Sequence, residues 1–202
     1  MCWTHQVNRT VFWAMIMRGF YCILKKSQFA NNSRITFNPK GQLTRGDLQF
    51  TKEGLIVNVQ WSKTSQKHSE IHQIPLKRID DCVLCPVLTY SIMVKMLQAL
   101  PHAPAFGLPT VNGKICAFSK ADIDKMLNDI LVRCNMDTNQ YSFHSLQRGC
   151  ATCASAAGCT DSDICTIGNW VSSCYRSYIK HTTDKLYYIS DKVGQYCKQS
   201  SS

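Results

Sequence analysis

The segment Leu55 to Trp61 constrains this 202-residue chain more than any other. Leu55, Val57, Val59 and Trp61 alternate with Ile56, Asn58 and Gln60, the period of two that marks a half-buried β-strand. Leu48 to Phe50 before it and Glu70 to Ile74 after it complete a three-stranded meander. The polar, basic link Ser62 to Ser69 predicts an exposed hairpin. A sheet this small cannot bury its own apolar face, so neighbouring helices must cover it.

The rest of the chain supplies them. Thr10 is a plausible N-cap for a first helix reaching Phe29, apolar on most faces and so buried. Asn31 to Gly41 reads as a loop. Pro86 suits the first turn of a helix to Leu100, followed by a loop from Pro101 to Pro109 and a tight turn at Asn112-Gly113. Ser119 and Asp122 have capping-box spacing for a helix to Cys134. Ser142 can cap a helix that Gly158 ends, and Thr160 with Asp163 opens a short one that Gly168 closes. Ser172 or Ser173 starts a helix carrying Tyr175 and Tyr178, and Lys180 to Tyr196 reads as a final helix. The fold class is therefore α+β, mostly helical, with a small three-stranded antiparallel sheet packed among helices.

Lysine and arginine exceed aspartate and glutamate by 23 to 13, a formal net charge of +10. Such a balance suits a polyanion such as nucleic acid, and equally a solvated basic surface. The run Val11 to Leu24 is broken by Arg18 and Gly19, so it suits a buried helix better than a membrane span. Met1 to His5 lacks the basic-then-apolar order of a signal peptide, so the 12 cysteines are expected as reduced thiols inside a cell.

Several segments carry a family likeness. Leu24-Lys25-Lys26-Ser27 follows the first helix, and Trp61-Ser62-Lys63-Thr64 ends the central strand. Gln73-Ile74-Pro75-Leu76 precedes Leu84-Cys85-Pro86-Val87, with Pro104-Ala105-Phe106 in the later loop. His144-Ser145-Leu146-Gln147-Arg148-Gly149 opens a helix, and Gly168-Asn169-Trp170 precedes Arg176-Ser177-Tyr178. Together they resemble the tyrosine recombinase (phage integrase) family, particularly its branch in eukaryotic DIRS-type and Crypton-type mobile elements. The likeness covers residues 9–182 as the catalytic-type domain, leaving 1–8 as an N-terminal remnant and 183–202 as a tail. Relatives carry an additional N-terminal helical domain that clamps the DNA, which is expected to lie on a longer chain or a partner.

The resemblance implies a chemistry. A tyrosine attacks a DNA phosphodiester, leaving a 3′-phosphotyrosine and a free 5′-hydroxyl, which a second strand then displaces. The phosphorane-like transition state needs cationic donors around its non-bridging oxygens, normally two arginines. Tyr178 stands at the nucleophile position, or is a core tyrosine of its helix; Tyr175, one turn earlier, is expected to pack. Lys63 stands where a hairpin lysine protonates the leaving oxygen, or is a solvated turn residue. His144 assists proton transfer, or is simply a polar helix start. Trp170 offers its indole N–H beside the phosphate, or packs under the last helix, with Asn169 adjacent.

Both arginine positions depart from the pattern. Lys25 keeps charge but loses the planar two-pronged donor. Gln147, in the His-x-x-Arg motif, brings no charge at all, and Arg148 lies about 100° further round a helix. The resemblance thus implies a recombinase-like domain with weakened or absent strand cleavage, or a DNA-binding module derived from a mobile element with no chemistry left. It implies double-stranded DNA as partner, a homo-oligomer on that DNA, a nuclear location, no membrane, no small-molecule substrate, and no metal or nucleotide cofactor. A competing reading takes Cys82-x-x-Cys85 and Cys150-x-x-Cys153 as zinc ligands. Against it, 150 − 85 = 65 positions separate the pairs, and the second pair lies within a helix.

Overall fold

The computed structural model of the chain describes residues 2–60 and 71–170. Helix α1 (Cys2–Tyr21) starts well before the Thr10 expected to cap it. Thr10 is instead an interior residue whose hydroxyl donates to the Gln6 carbonyl at 3.0 Å. The helix also stops eight residues short of Phe29. Ile23 takes a left-handed backbone, φ 53°, a conformation that helix ends usually give to glycine. A 3₁₀ turn (Lys26–Gln28) follows.

The meander is present as β1 (Leu48–Phe50), β2 (Gly54–Val59) and β3 (His72–Lys77), antiparallel in that order. Leu55 faces Phe50 on one side and Leu76 on the other, and Val57 faces Leu48 and Ile74. β2 is more enclosed than its alternation suggested, because Asn58 is also buried and accepts from Gln73 Nε2 at 3.0 Å. β3 runs past the expected end at Ile74 and includes Pro75. A proline is tolerated there because β3 is an edge strand. The expected hairpin Ser62 to Ser69 lies outside the described residues.

Helix α2 (Pro86–Met96) has Cys85 as its N-cap and ends sooner than Leu100. The segment expected as plain loop and turn is a second, two-stranded sheet, β4 (Gly107–Pro109) with β5 (Ile115–Ala117), closed at Gly113 with φ 72°. Helix α3 (Lys120–Arg133) has the Ser119/Asp122 capping box read from the sequence, and α5 (Asp161–Gly168) the Thr160/Asp163 one. Asn169, not Gly168, takes the left-handed position that ends α5. Helix α4 (His144–Ala156) begins without a side-chain cap; Ser142 N–H donates to the Ser145 hydroxyl instead. The expected helix over Tyr175 and Tyr178 lies outside the described residues. No described helix is long and apolar enough to cross a membrane.

Of the thiols that suggested zinc, Cys85 caps a helix. Cys85 Sγ accepts the Leu88 and Ile79 N–H groups at 3.4 and 3.2 Å. Cys150 is buried, whereas Cys153 is exposed on the same helix. Among the described residues, no three histidine, cysteine or acidic side chains converge as a metal site.

The core carries one anomaly. Arg18 on α1 is 0% exposed, lies 5.1 Å from the Tyr90 ring centroid and donates through Nη1 to Thr89 Oγ1 at 3.1 Å. Its Nε and Nη2 find no hydrogen-bond partner among the described residues, and burial pushes the guanidinium down to about 10. Burying a charge without an anion costs several kcal/mol, more than one cation–π contact of about 2 kcal/mol returns. Removing it orphans nothing, because the Thr89 hydroxyl keeps its bond to the Pro86 carbonyl at 2.9 Å. Arg18→Leu is therefore expected to raise the urea midpoint of unfolding, and a lowered midpoint would show that the buried guanidinium is a net gain.

At the surface, Arg34 grips Asp122 with two parallel hydrogen bonds, Nε to Oδ2 at 2.7 Å and Nη2 to Oδ1. That grip, with the capping hydroxyl of Ser119, holds the Asp122 carboxyl well below the usual carboxylate range. A depressed folded-state value stabilises the fold fully above the unfolded value near pH 4, and the contribution fades as pH falls below it. Asp122→Asn should therefore lower stability at pH 7 and flatten the loss of stability below about pH 4; parallel acid limbs for both proteins would refute this.

Candidate functional site

Helices α1 and α4 cross closely because of two glycines. A Cβ on Gly19 would lie 2.9 Å from the Phe143 ring and 3.0 Å from Leu146, and one on Gly149 would lie 3.3 Å from Phe20. This approach brings the end of α1 against the first turn of α4. There the Gln147 amide, 3% exposed, donates through Nε2 to the Ile23 carbonyl at 2.8 Å. Its Oε1 lies 2.6 Å from His144 Nδ1. An amide oxygen only accepts, so Nδ1 of His144 carries the proton in this contact.

Ile23 is two residues before Lys25, so the His144 and Gln147 pair meets the chain just ahead of Lys25. The three do not play equal parts. The Lys25 side chain is exposed, while its backbone is fixed: its N–H donates to Gln28 Oε1 at 2.7 Å, and Gln28 N–H returns to the Lys25 carbonyl at 2.9 Å. The next residue, Lys26, ties the turn to α3 through both oxygens of Asp124 at 2.7 Å. Arg148 is exposed whereas Gln147 is buried, as their 100° separation requires. The structure thus offers an exposed ammonium at position 25 and a neutral amide, already committed at both ends, at position 147.

Trp170 lies one turn along α4 from this junction. It packs with Ala151 and Ile164, and Ala151 is four residues after Gln147, on the same helix face. Its ring also covers Gly168, where a Cβ would come within 2.7 Å. β3 reaches the same region, its His72 Nε2 lying 3.4 Å from the Ile167 carbonyl at the end of α5. Lys63, Tyr175 and Tyr178 lie outside the described residues.

Two contributors were not read from the sequence. Gln28 closes the Lys25 turn, and its spacing of three from Lys25 was a usable signal. Ile23 gave none, since a β-branched residue is among the least suited to positive φ.

No protein-family model and no curated protein matches the chain. Among solved structures it is similar to the Tn1549 transposon integrase in complex with circular intermediate DNA, with a TM-score of 0.58 and 14% identity. A second structure of that integrase, an arginine-to-lysine variant also bound to circular intermediate DNA, gives 0.58 and 15%. The fold is that of an integrase. The match covers 89% of this chain and 59% of the first integrase chain, so the present chain spans under two thirds of it.

The Gln147 tie is also structural. Without it the Ile23 carbonyl loses its side-chain donor at a buried point, a loss worth about 1–3 kcal/mol. Gln147→Leu should lower the unfolding free energy by that amount, seen as a lower urea midpoint at unchanged slope, with Arg148→Leu as a near-silent control. Equal effects of the two changes would refute the tie.

Proposed function

We propose that this chain is the catalytic-type domain of a tyrosine recombinase of the DIRS and Crypton kind. It binds double-stranded DNA in the nucleus, as a homo-oligomer on its site, and has little or no strand-cleaving activity. One observation carries the reading: the amide of Gln147 is spent inside the protein, on His144 and Ile23. The motif position that should present a cation to the transferring phosphate therefore presents none. Lys25, at the other clamp position, supplies charge without a fork.

Magnitude supports weak chemistry. Losing one donor to a developing oxyanion costs about 3–4 kcal/mol, or about 10²–10³ in rate, and two altered donors lower it further without simple additivity. The remaining roles, nucleophile for Tyr178, leaving-oxygen acid for Lys63, proton transfer for His144 and indole donor for Trp170, rest on the resemblance. The net charge of +10 supports binding to the phosphate backbone without requiring chemistry.

A nicked suicide duplex tests both halves. The protein should bind duplex DNA near 50 mM salt and lose about 10³ or more of that affinity by 200 mM. It should form no covalent adduct above that of Tyr178→Phe. Lys25→Arg combined with Gln147→Arg should raise adduct formation by about 100-fold. No DNA binding at low salt would end the proposal, efficient cleavage by the unaltered chain would end the claim of lost chemistry, and no gain in the double variant would undo the assignment of the clamp positions.

A further inference from the structure

Away from this junction, α1 and α3 enclose an open groove of about 620 Å³. It shares no residue with Lys25, His144 or Gln147. Its apolar lining comes from Phe12 and Trp13 of α1 and from Phe118, Met126 and Ile130. Trp13 and Ile130 are each 38% exposed, so large apolar surface faces solvent on both walls. The α3 wall is one continuous stripe, Asp122, Lys125, Met126, Asp129, Ile130 and Arg133, with the spacing of a single helix face.

The charges on the rim are unbalanced. Arg34 and Asp122 neutralise each other. Arg9, Lys125 and Arg133 line the groove with no ion pair among the described residues, and against them stands Asp129. Asp122 to Arg133 spans about 16 Å of helix, three turns, at 1.5 Å per residue. An apolar trough of that length with basic rims complements a short helix that has one apolar face and acidic flanks. We propose that this groove docks an acidic amphipathic helix of a partner protein. Duplex DNA is disfavoured as the occupant, because the floor offers aliphatic and aromatic side chains rather than hydrogen-bond donors. The proposal stands independently of the strand-cleavage reading, since it uses none of those residues.

The test uses the full chain and a fluorescein-labelled synthetic peptide of about three helical turns. Leucine and phenylalanine sit at i, i+4 and i+7, with glutamate on the flanks. A scrambled peptide of the same composition is the control, and anisotropy is read in about 150 mM salt. The patterned peptide should bind and the scrambled one should not. Lys125→Glu with Arg133→Glu should weaken binding at least 10-fold while permitting binding of the lysine-for-glutamate peptide. Trp13→Ala should also weaken it, and circular dichroism should show both variants folded. Equal binding of the scrambled peptide would reduce the effect to bulk charge and overturn the proposal. Displacement of the peptide by short duplex DNA, with loss of DNA affinity in the charge-reversed protein, would make the groove a nucleic-acid surface instead. Self-association that Ile130→Glu abolishes would make it a contact between copies.

Discussion

The close crossing of α1 and α4 at Gly19 is the constraint on which the candidate site depends. With any side chain there, the Phe143 ring and Leu146 would have to withdraw, and the first turn of α4 would move with them. The Gln147 amide would then no longer reach the Ile23 carbonyl, and His144 would lose its acceptor. A glycine pair thus fixes the distance between a helix end and a helix start. That distance decides whether the Gln147 amide reaches the Ile23 carbonyl.

A second constraint lies at Ile23. A β-branched residue in the left-handed region costs about 1–3 kcal/mol and persists only where its surroundings over-determine it. Here burial of the Ile23 side chain, its N–H bond to the Phe20 carbonyl at 3.1 Å and the Gln147 donor share that task. Breaking α1 at this point lets Leu24 stay in the core while Lys25 turns to solvent, so strain at one residue sets the exposure of the next two. Gln28 and the Lys26–Asp124 pair then hold the turn from its other side.

What the sequence disclosed follows how local each signal is. The starts of α3 and α5 were legible because a capping box lies within four residues. The three-stranded sheet was legible because alternation is local too. α1 was misplaced at both ends: Thr10 looked like a cap but only bonds back to Gln6, and its stop depends on an isoleucine doing what glycine usually does. The β4–β5 pair was missed, though its Asn112-Gly113 turn was found, because three-residue strands carry no readable period. Lys25, His144 and Gln147 were named from the resemblance alone. That Gln147 is bound internally was not, since its partner Ile23 lies 124 residues away in the chain.

Positions 25 and 147 are consequently not equivalent. Lys25 differs from arginine only at its exposed tip, and its backbone setting, fixed by Gln28, does not depend on which cation it carries. Gln147 differs in kind. An amide offers an acceptor to His144 and a donor to Ile23 at once, whereas a guanidinium has donors only. Arginine at this position could keep the Ile23 contact, but it could not accept the Nδ1 proton of His144. Residue 147 therefore governs two things together: whether the junction carries a second cation, and which nitrogen of His144 holds its proton. The neutral side chain at 147 and the fixing of the histidine proton go together.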